Sequence, residues 1–434
     1  MESAQRIFLE GYLQGDRLKA VLAMNMIAHH KECGIDDMRE SRKIFQTYFF
    51  AESVLSKLPS YTIESLGKWV PIFVLLSNCN FMDNCARRKS ADVQVCLLLA
   101  LERANTALNL FVDSLRKAEN NPHFGMDIGL LVVLCERMRV SVRHLSSFGS
   151  ADFDPLSLYR KVLLRCYAFL SKTSQIQIKN ATKNELYNGL AYVLTELLRI
   201  FPFSIGAKLS TSDVRECGFY ASRDKAALLH FFYAMHLISF GNLRDAESAL
   251  AKAASYRFTK LQGTIVLFWT VLNIQRGHIP RKEITNTNSM DCLEGIVVAL
   301  ITGRVDVFDV SCCLHMSSFL QKNLMLLIVS IRHVVLRNMI CRHQLLQKGD
   351  TERIYLEELW SAHNKLLNTL TNSPIFPSLS FIRDGVLLPL LVQRYINGCL
   401  YIDHGLLNLP GKNAFPEIEL PSGPLPQPAE PSEK

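Results

Sequence analysis

The chain has 434 residues, 49% of them hydrophobic, which is enough to bury a sizeable core across two or three domains or one continuous helical array and confines disorder to local stretches. Forty-eight basic against 40 acidic residues leave a modest formal charge of +8, which suits an acidic protein or a phosphate backbone alike. None of the twelve cysteines has zinc spacing: Cys79 and Cys85 are too far apart, Cys312 and Cys313 are adjacent, and no CxxC pair occurs.

Cys96, Cys135 and Cys166 sit among Leu, Val and Ala, where a reduced thiol acts as a small hydrophobe. A reducing nuclear or cytoplasmic compartment is therefore expected. Glu2, Arg6, Glu10, Asp16 and Arg17 interrupt the first residues, so a signal peptide is not expected. The longest apolar runs are too short to span a bilayer, and a soluble chain is expected.

Apolar residues recur at three- and four-residue intervals through most of the first 370 positions, so the expected class is all-α. In chain order the spacing predicts helices at Ser41 to Leu58, Ala91 to Ala118, Met126 to Leu145, Pro155 to Ser171 and Asn184 to Phe201. Arg87-Arg88-Lys89 precedes the second of these and reads as a solvated helix start. A clear helical hairpin follows over Leu228 to Ala254: Gly241-Asn242 turns the chain, and Ala246, Ala249, Leu250 and Ala253 resume at helical spacing. This is packing of the tetratricopeptide kind, although no strict repeat aligns along the chain.

Further helices are expected at Lys260 to Arg276, stopped by Gly277-His278-Ile279-Pro280, and at Cys292 to Thr302, stopped by Gly303. Val305 to Leu320 and Asn323 to Leu346 come next. One more helix after Phe381 leads into Leu400-Tyr401-Ile402 and Leu406-Leu407-Asn408-Leu409, two short runs hinged at Gly405 that read as the hairpin of a winged helix. Pro389 falls inside that last helix and should kink or restart it. Beyond Pro410, Pro, Glu, Ser and Gly dominate, and disorder is expected.

No GxGxxG, GxxxxGK[ST], GxSxG or HExxH occurs, so no catalytic residue, cofactor or metal is expected and the chain reads as a non-enzyme. His333, His343 and His363 are spaced by ten and twenty residues, which favours structural roles over metal ligation. Basic residues recur near the carboxyl end: Arg332, Arg337, Arg342, Lys348, Arg353, Lys365, Arg383, Arg394 and Lys412. Cations of this kind neutralise phosphates with salt-dependent affinity. They are interleaved with Asp350, Glu352, Glu357, Glu358, Asp384 and Asp403.

Three stretches resemble the PCI-domain family of scaffold subunits: Phe232 to Ala254 with its Gly-Asn turn, Ile265 to Pro280 with its Gly-His-Ile-Pro stop, and the ending Tyr401-Ile402, Leu407, Leu409, Lys412 and Phe415-Pro416. Within that family the ending looks most like the Thp-type subunits of the nuclear transcription-and-export complex 2. The resemblance covers roughly residues 225 to 416. It implies a PCI helical subdomain over 223–335 and a winged-helix subdomain with a small β-hairpin over 336–410; periodicity gives the tetratricopeptide-like helical array over 1–222, and composition the disordered Pro-rich tail over 411–434.

It also implies a non-catalytic nuclear scaffold in mRNA export. Expected partners are a large Sac-type scaffold, a small acidic Sem-type protein, and RNA or DNA held by Arg342, Lys348, Arg383, Arg394 and Lys412. The alternatives are an assembly subunit of the proteasome lid, the signalosome or a translation-initiation complex, which would place it in the cytoplasm as well, or an orphan helical-repeat adaptor.

Overall fold

The structure, a computed structural model, describes residues 124–146, 154–174, 180–200, 211–280, 291–347, 352–363 and 374–420, with scattered positions between 101 and 112. The helix expected over 41–58, the basic cluster at 87–89, most of the helix expected over 91–118, and the tail after Leu420 lie outside the described residues. What is described is predominantly α-helical with one small three-stranded sheet. No helix among the described residues is long and apolar enough to cross a membrane.

The chain divides into two compact units, Met1–Phe232 and Tyr233–Lys434, within the helix that opens the expected hairpin. In the first unit, α1 (Phe124–Ser146), α2 (Pro155–Ser174) and α3 (Asn180–Ile200) pack on one another and α4 (Thr211–Tyr220) packs on α3. Their shared core includes Leu131, Cys135, Tyr159, Cys166, Leu186 and Leu190, all fully buried. The Tyr159 hydroxyl donates to the Cys135 carbonyl at 3.2 Å. Glu196, almost fully buried, is matched by Arg139 at 3.0 Å and Arg199 at 3.6 Å. Tyr187 stacks on Tyr220, and the Lys183 ammonium lies 4.0 Å from the Tyr220 ring centre, which ties α4 to α3.

α5 (Arg223–Ser239) leads to a turn in which Gly241 is left-handed at φ 73°, and α6 (Leu243–Ser255) then begins with Asn242 accepting from the Asp245 amide. α6 buries Ala246, Ala249, Leu250 and Ala253, the residues singled out by spacing, and packs against α7 (Thr259–Gln275). Arg276 grips Glu247 through both guanidinium nitrogens, at 2.9 and 2.6 Å, closing this pair of helices. A 3-10 turn (Asp291–Leu293) opens α8 (Glu294–Thr302).

The single helix expected over 305–320 is two: α9 (Val305–Leu314) and α10 (Met316–Gln321), separated at His315. The redirection brings Phe319 to complete burial. α11 (Met325–Leu346) is the spine of the second unit, packing on α7, α8, α9 and α10. It buries Leu327, Ile328, Ile331, Val334, Val335, Leu336, Met339 and Ile340.

The expected two-stranded hairpin is a three-stranded antiparallel sheet in the order β1-β3-β2, with β1 Arg353–Tyr355, β2 Cys399–Tyr401 and β3 Leu406–Asn408. α12 (Leu356–His363) leaves β1 directly. Phe381–Leu387 forms a π-helical stretch that continues into α13 (Leu388–Val392), and Pro389, near the start of the α-helical part, is accommodated where the hydrogen-bond pattern changes from π to α. Disorder does not begin at residue 411. Ala414, Ile418 and Leu420 are buried, and Asn397 donates its amide to Ala414 at 2.8 Å.

Gly303 caps α8 in the left-handed region at φ 65°, and a Cβ there would sit 2.9 Å from the Met339 backbone on α11. Gly405 is also left-handed, at φ 58°, but opens on empty space. Gly303→Ala should therefore cost about 2–4 kcal/mol, combining backbone strain with a forced separation of α8 from α11, and Gly405→Ala about 1 kcal/mol. Thermal denaturation of the two variants beside the parent checks the order.

Candidate functional site

The sheet has one buried and one open face, because successive residues along a strand point opposite ways. Ile354 and Leu407 pair across β1 and β3 and are fully buried, while Leu400, opposite Leu407 on β2, is half-buried. On the other face the register sets Tyr355, Leu406 and Tyr401 in one cross-strand row, with both tyrosines nearly half exposed at 47% and 48%. Arg353, Asn408 and Cys399 form the next row on that face. Two further bonds extend the pairing: the Leu356 amide donates to Gly405 at 2.8 Å and the Leu409 amide to Glu352 at 2.6 Å.

Of the residues expected to build the hairpin, Tyr401 ends β2 and Leu407 is the centre of β3. Ile402 is not a strand residue: it opens the 3-10 turn Ile402–His404 and is 59% exposed. Leu409 follows β3 and is buried. Phe415 and Pro416 lie apart from the sheet, on a segment held by Arg337 of α11. The Arg337 guanidinium donates to the Tyr395 carbonyl at 3.0 Å and to the Pro416 carbonyl at 2.9 Å, and its centre lies 5.6 Å from the Phe415 ring centre. Arg337 is thus a structural clamp with its cationic edge spent on backbone oxygens.

The candidate phosphate-binding residues lie on separate elements. Arg342 is exposed near the end of α11, and Lys348 lies outside the described residues. Arg383 forks onto its neighbour Asp384 with both bonds at 2.7 Å, and this hydrogen-bonded guanidinium holds the Asp384 carboxyl below its ordinary range. Asp384 therefore competes with a phosphate for this guanidinium. Arg394 is exposed on the turn after α13, held in the left-handed region at φ 60°, and Lys412 is exposed on the segment after β3. Arg332, for its part, forks onto Asp309 at 3.0 and 3.2 Å.

Arg394 also borders an open groove of about 900 Å³ that includes Gln275, Leu327, His333, Ile418 and Leu420. The Gln275 amide nitrogen donates to Leu327 at 2.8 Å and to Ser330, leaving its buried carbonyl oxygen without a hydrogen-bond partner. His333 stacks on Tyr395 with ring centres 5.9 Å apart, and burial pushes its imidazole below its ordinary value, favouring the neutral form.

Two features of this region were not visible in the sequence. The tyrosine row needs the register of strands about fifty residues apart, and the Arg337 clamp needs the path of the segment after β3; a three-residue Arg-Ile-Tyr alternation was the sole local sign of β1.

Replacing Arg337 by Met keeps the aliphatic stem but strands two part-buried carbonyls, with an expected loss of about 2–4 kcal/mol. The segment after β3 should be released with it. Limited trypsin digestion, read at Lys412, should cut the variant several times faster than the parent under conditions where both remain folded. No family model matches the sequence, and no curated protein matches it.

Proposed function

We propose that this protein is a non-catalytic scaffold subunit of the PCI type, working in a nuclear, transcription-coupled mRNA export complex. The observation that carries the reading is the element order of the second unit. Paired helices α5 to α7 come first; helix α11, strand β1, helix α12, the π-to-α helix and strands β2 and β3 follow, with the sheet in the order β1-β3-β2. That succession resembles a helical array ending in a winged helix. Function is then inferred by analogy of architecture and sequence ending, which is an associational step.

In this reading a large Sac-type scaffold docks on the winged-helix side, where the open Tyr355–Leu406–Tyr401 row offers aromatic area at low entropic cost. A small acidic Sem-type protein wraps the helices, in keeping with the net positive charge. RNA or DNA is contacted through Arg342, Arg394 and Lys412, the exposed cations among the described members of the candidate set. Arg383 contributes less, because Asp384 already neutralises it. That same pairing favours a second reading, in which the domain serves assembly alone, as in the proteasome lid, the signalosome or an initiation-factor complex.

Affinity purification of the tagged chain from nuclear extract, followed by mass spectrometry, separates the two. One large Sac-type scaffold with a small acidic protein is the expected result; lid, signalosome or initiation-factor subunits would move the protein to the second reading. For nucleic acid, Arg394→Glu should weaken single-stranded RNA binding and flatten its dependence on log salt by about 0.7–1 per contact removed, whereas Arg383→Ala should change little. A titration in which Arg394→Glu matches the parent in affinity and slope would remove nucleic acid from the proposal.

A further inference from the structure

The carboxyl end of α11 and the end of α12 bring together two imidazoles that have no hydrogen-bond partner among the described residues. The rings of His343 and His363 have centres 5.8 Å apart at an interplanar angle of 54°. The Nε2 atoms of both, and the Oε1 of Gln347, are withdrawn from solvent and have no hydrogen-bond partner. Gln347 caps α11 four residues after His343, just beyond the last helical residue. The Gln347 amide is oriented by its nitrogen, which donates to Glu358 Oε2 on α12 at 3.2 Å, so its oxygen is the atom left open. Buried polar atoms without partners are uncommon, and each calls for an explanation, such as an ordered water or a bound ion.

We propose that His343 Nε2, His363 Nε2 and Gln347 Oε1 form a binding site for a borderline first-row divalent cation, Zn²⁺ in particular, completed by solvent water and with the Glu358 carboxylate holding Gln347 in place. The ring spacing agrees with this. With Zn–N bonds of about 2.0–2.1 Å, two imidazoles on one ion stand with centres about 5–6 Å apart. Two nitrogens and a neutral amide oxygen suit zinc better than calcium or magnesium, which favour carboxylate-rich oxygen shells.

Among the described residues no cluster of three His, Cys, Asp or Glu exists, so the site has one oxygen from an amide where structural zinc centres use a thiolate or third imidazole. Its occupancy should accordingly be reversible. An ion there would pin α12 to the end of α11 and so set the approach to β1.

The test uses the full chain with Zn²⁺ and with Co²⁺ as a spectroscopic probe, at pH 7.5, with affinity read by competition against a chromophoric chelator. Expected are saturable binding of one ion, Co²⁺ d–d bands without the thiolate-to-cobalt charge transfer that cysteine ligation would give, and a rise in melting temperature. His363→Asn and His343→Gln should each weaken binding tenfold or more. Gln347→Met, which keeps the helix and both imidazoles, should weaken it severalfold and guards against a histidine variant that fails to fold. Absence of saturable binding, a thiolate charge-transfer band, or affinity unchanged in His363→Asn and Gln347→Met would overturn the assignment.

Discussion

The second unit depends on a single cation on α11. Arg337 carries its charge into a half-buried position, where its guanidinium spans the Tyr395 and Pro416 carbonyls and covers Phe415. Desolvation opposes this placement and lowers the guanidinium from its ordinary value, so the two carbonyl bonds and the aromatic face must offset that cost. What they hold is considerable. The turn after α13, the last described segment and α11 become one packed layer, and the sheet is braced from behind by buried Ile354, Leu407 and Leu409. Arg337, one of the basic residues that recur near the carboxyl end, is therefore a cation that the fold cannot release.

Helices were legible because their signals are local. The three-and-four periodicity and the stops at Gly241, Gly277 and Gly303 act within a few residues, and the observed helices begin and end close to them. The break at His315 has no Gly or Pro to announce it, and Phe319, four residues on, is fully buried. β1 was missed because three residues are too short a run to show alternation, and its strand character comes from pairing with β3. In the segment after Pro410, composition pointed to disorder while the local alternation Glu417, Ile418, Glu419, Leu420 pointed to a packed extended strap, and burial follows the alternation.

Among candidate site residues, legibility tracked exposure. Arg394, Arg342 and Lys412 stand at the surface as free cations would, but whether a cation is already engaged depends on neighbours, and the engagement of Arg383 by Asp384 could be guessed from adjacency alone. The His343–His363 pairing could not. Spacings of ten and twenty residues carry no helical phase relation, and the two rings meet only where the ends of α11 and α12 come near one another. The open row of Tyr355, Leu406 and Tyr401 likewise exists through strand register and has no signature in any continuous stretch.

The clamp also has a consequence for how the protein is made. The partners of Arg337 lie 58 and 79 residues further along the chain. During synthesis at about 5–20 residues per second, α11 leaves the ribosome several seconds before they do. Through that interval its inner face has part of its cover and none of its final seal, so the nascent second unit presents apolar surface to whatever surrounds it. Early recognition by a holding chaperone, or by an assembly partner already present at the site of translation, would shelter that surface until residue 416 emerges.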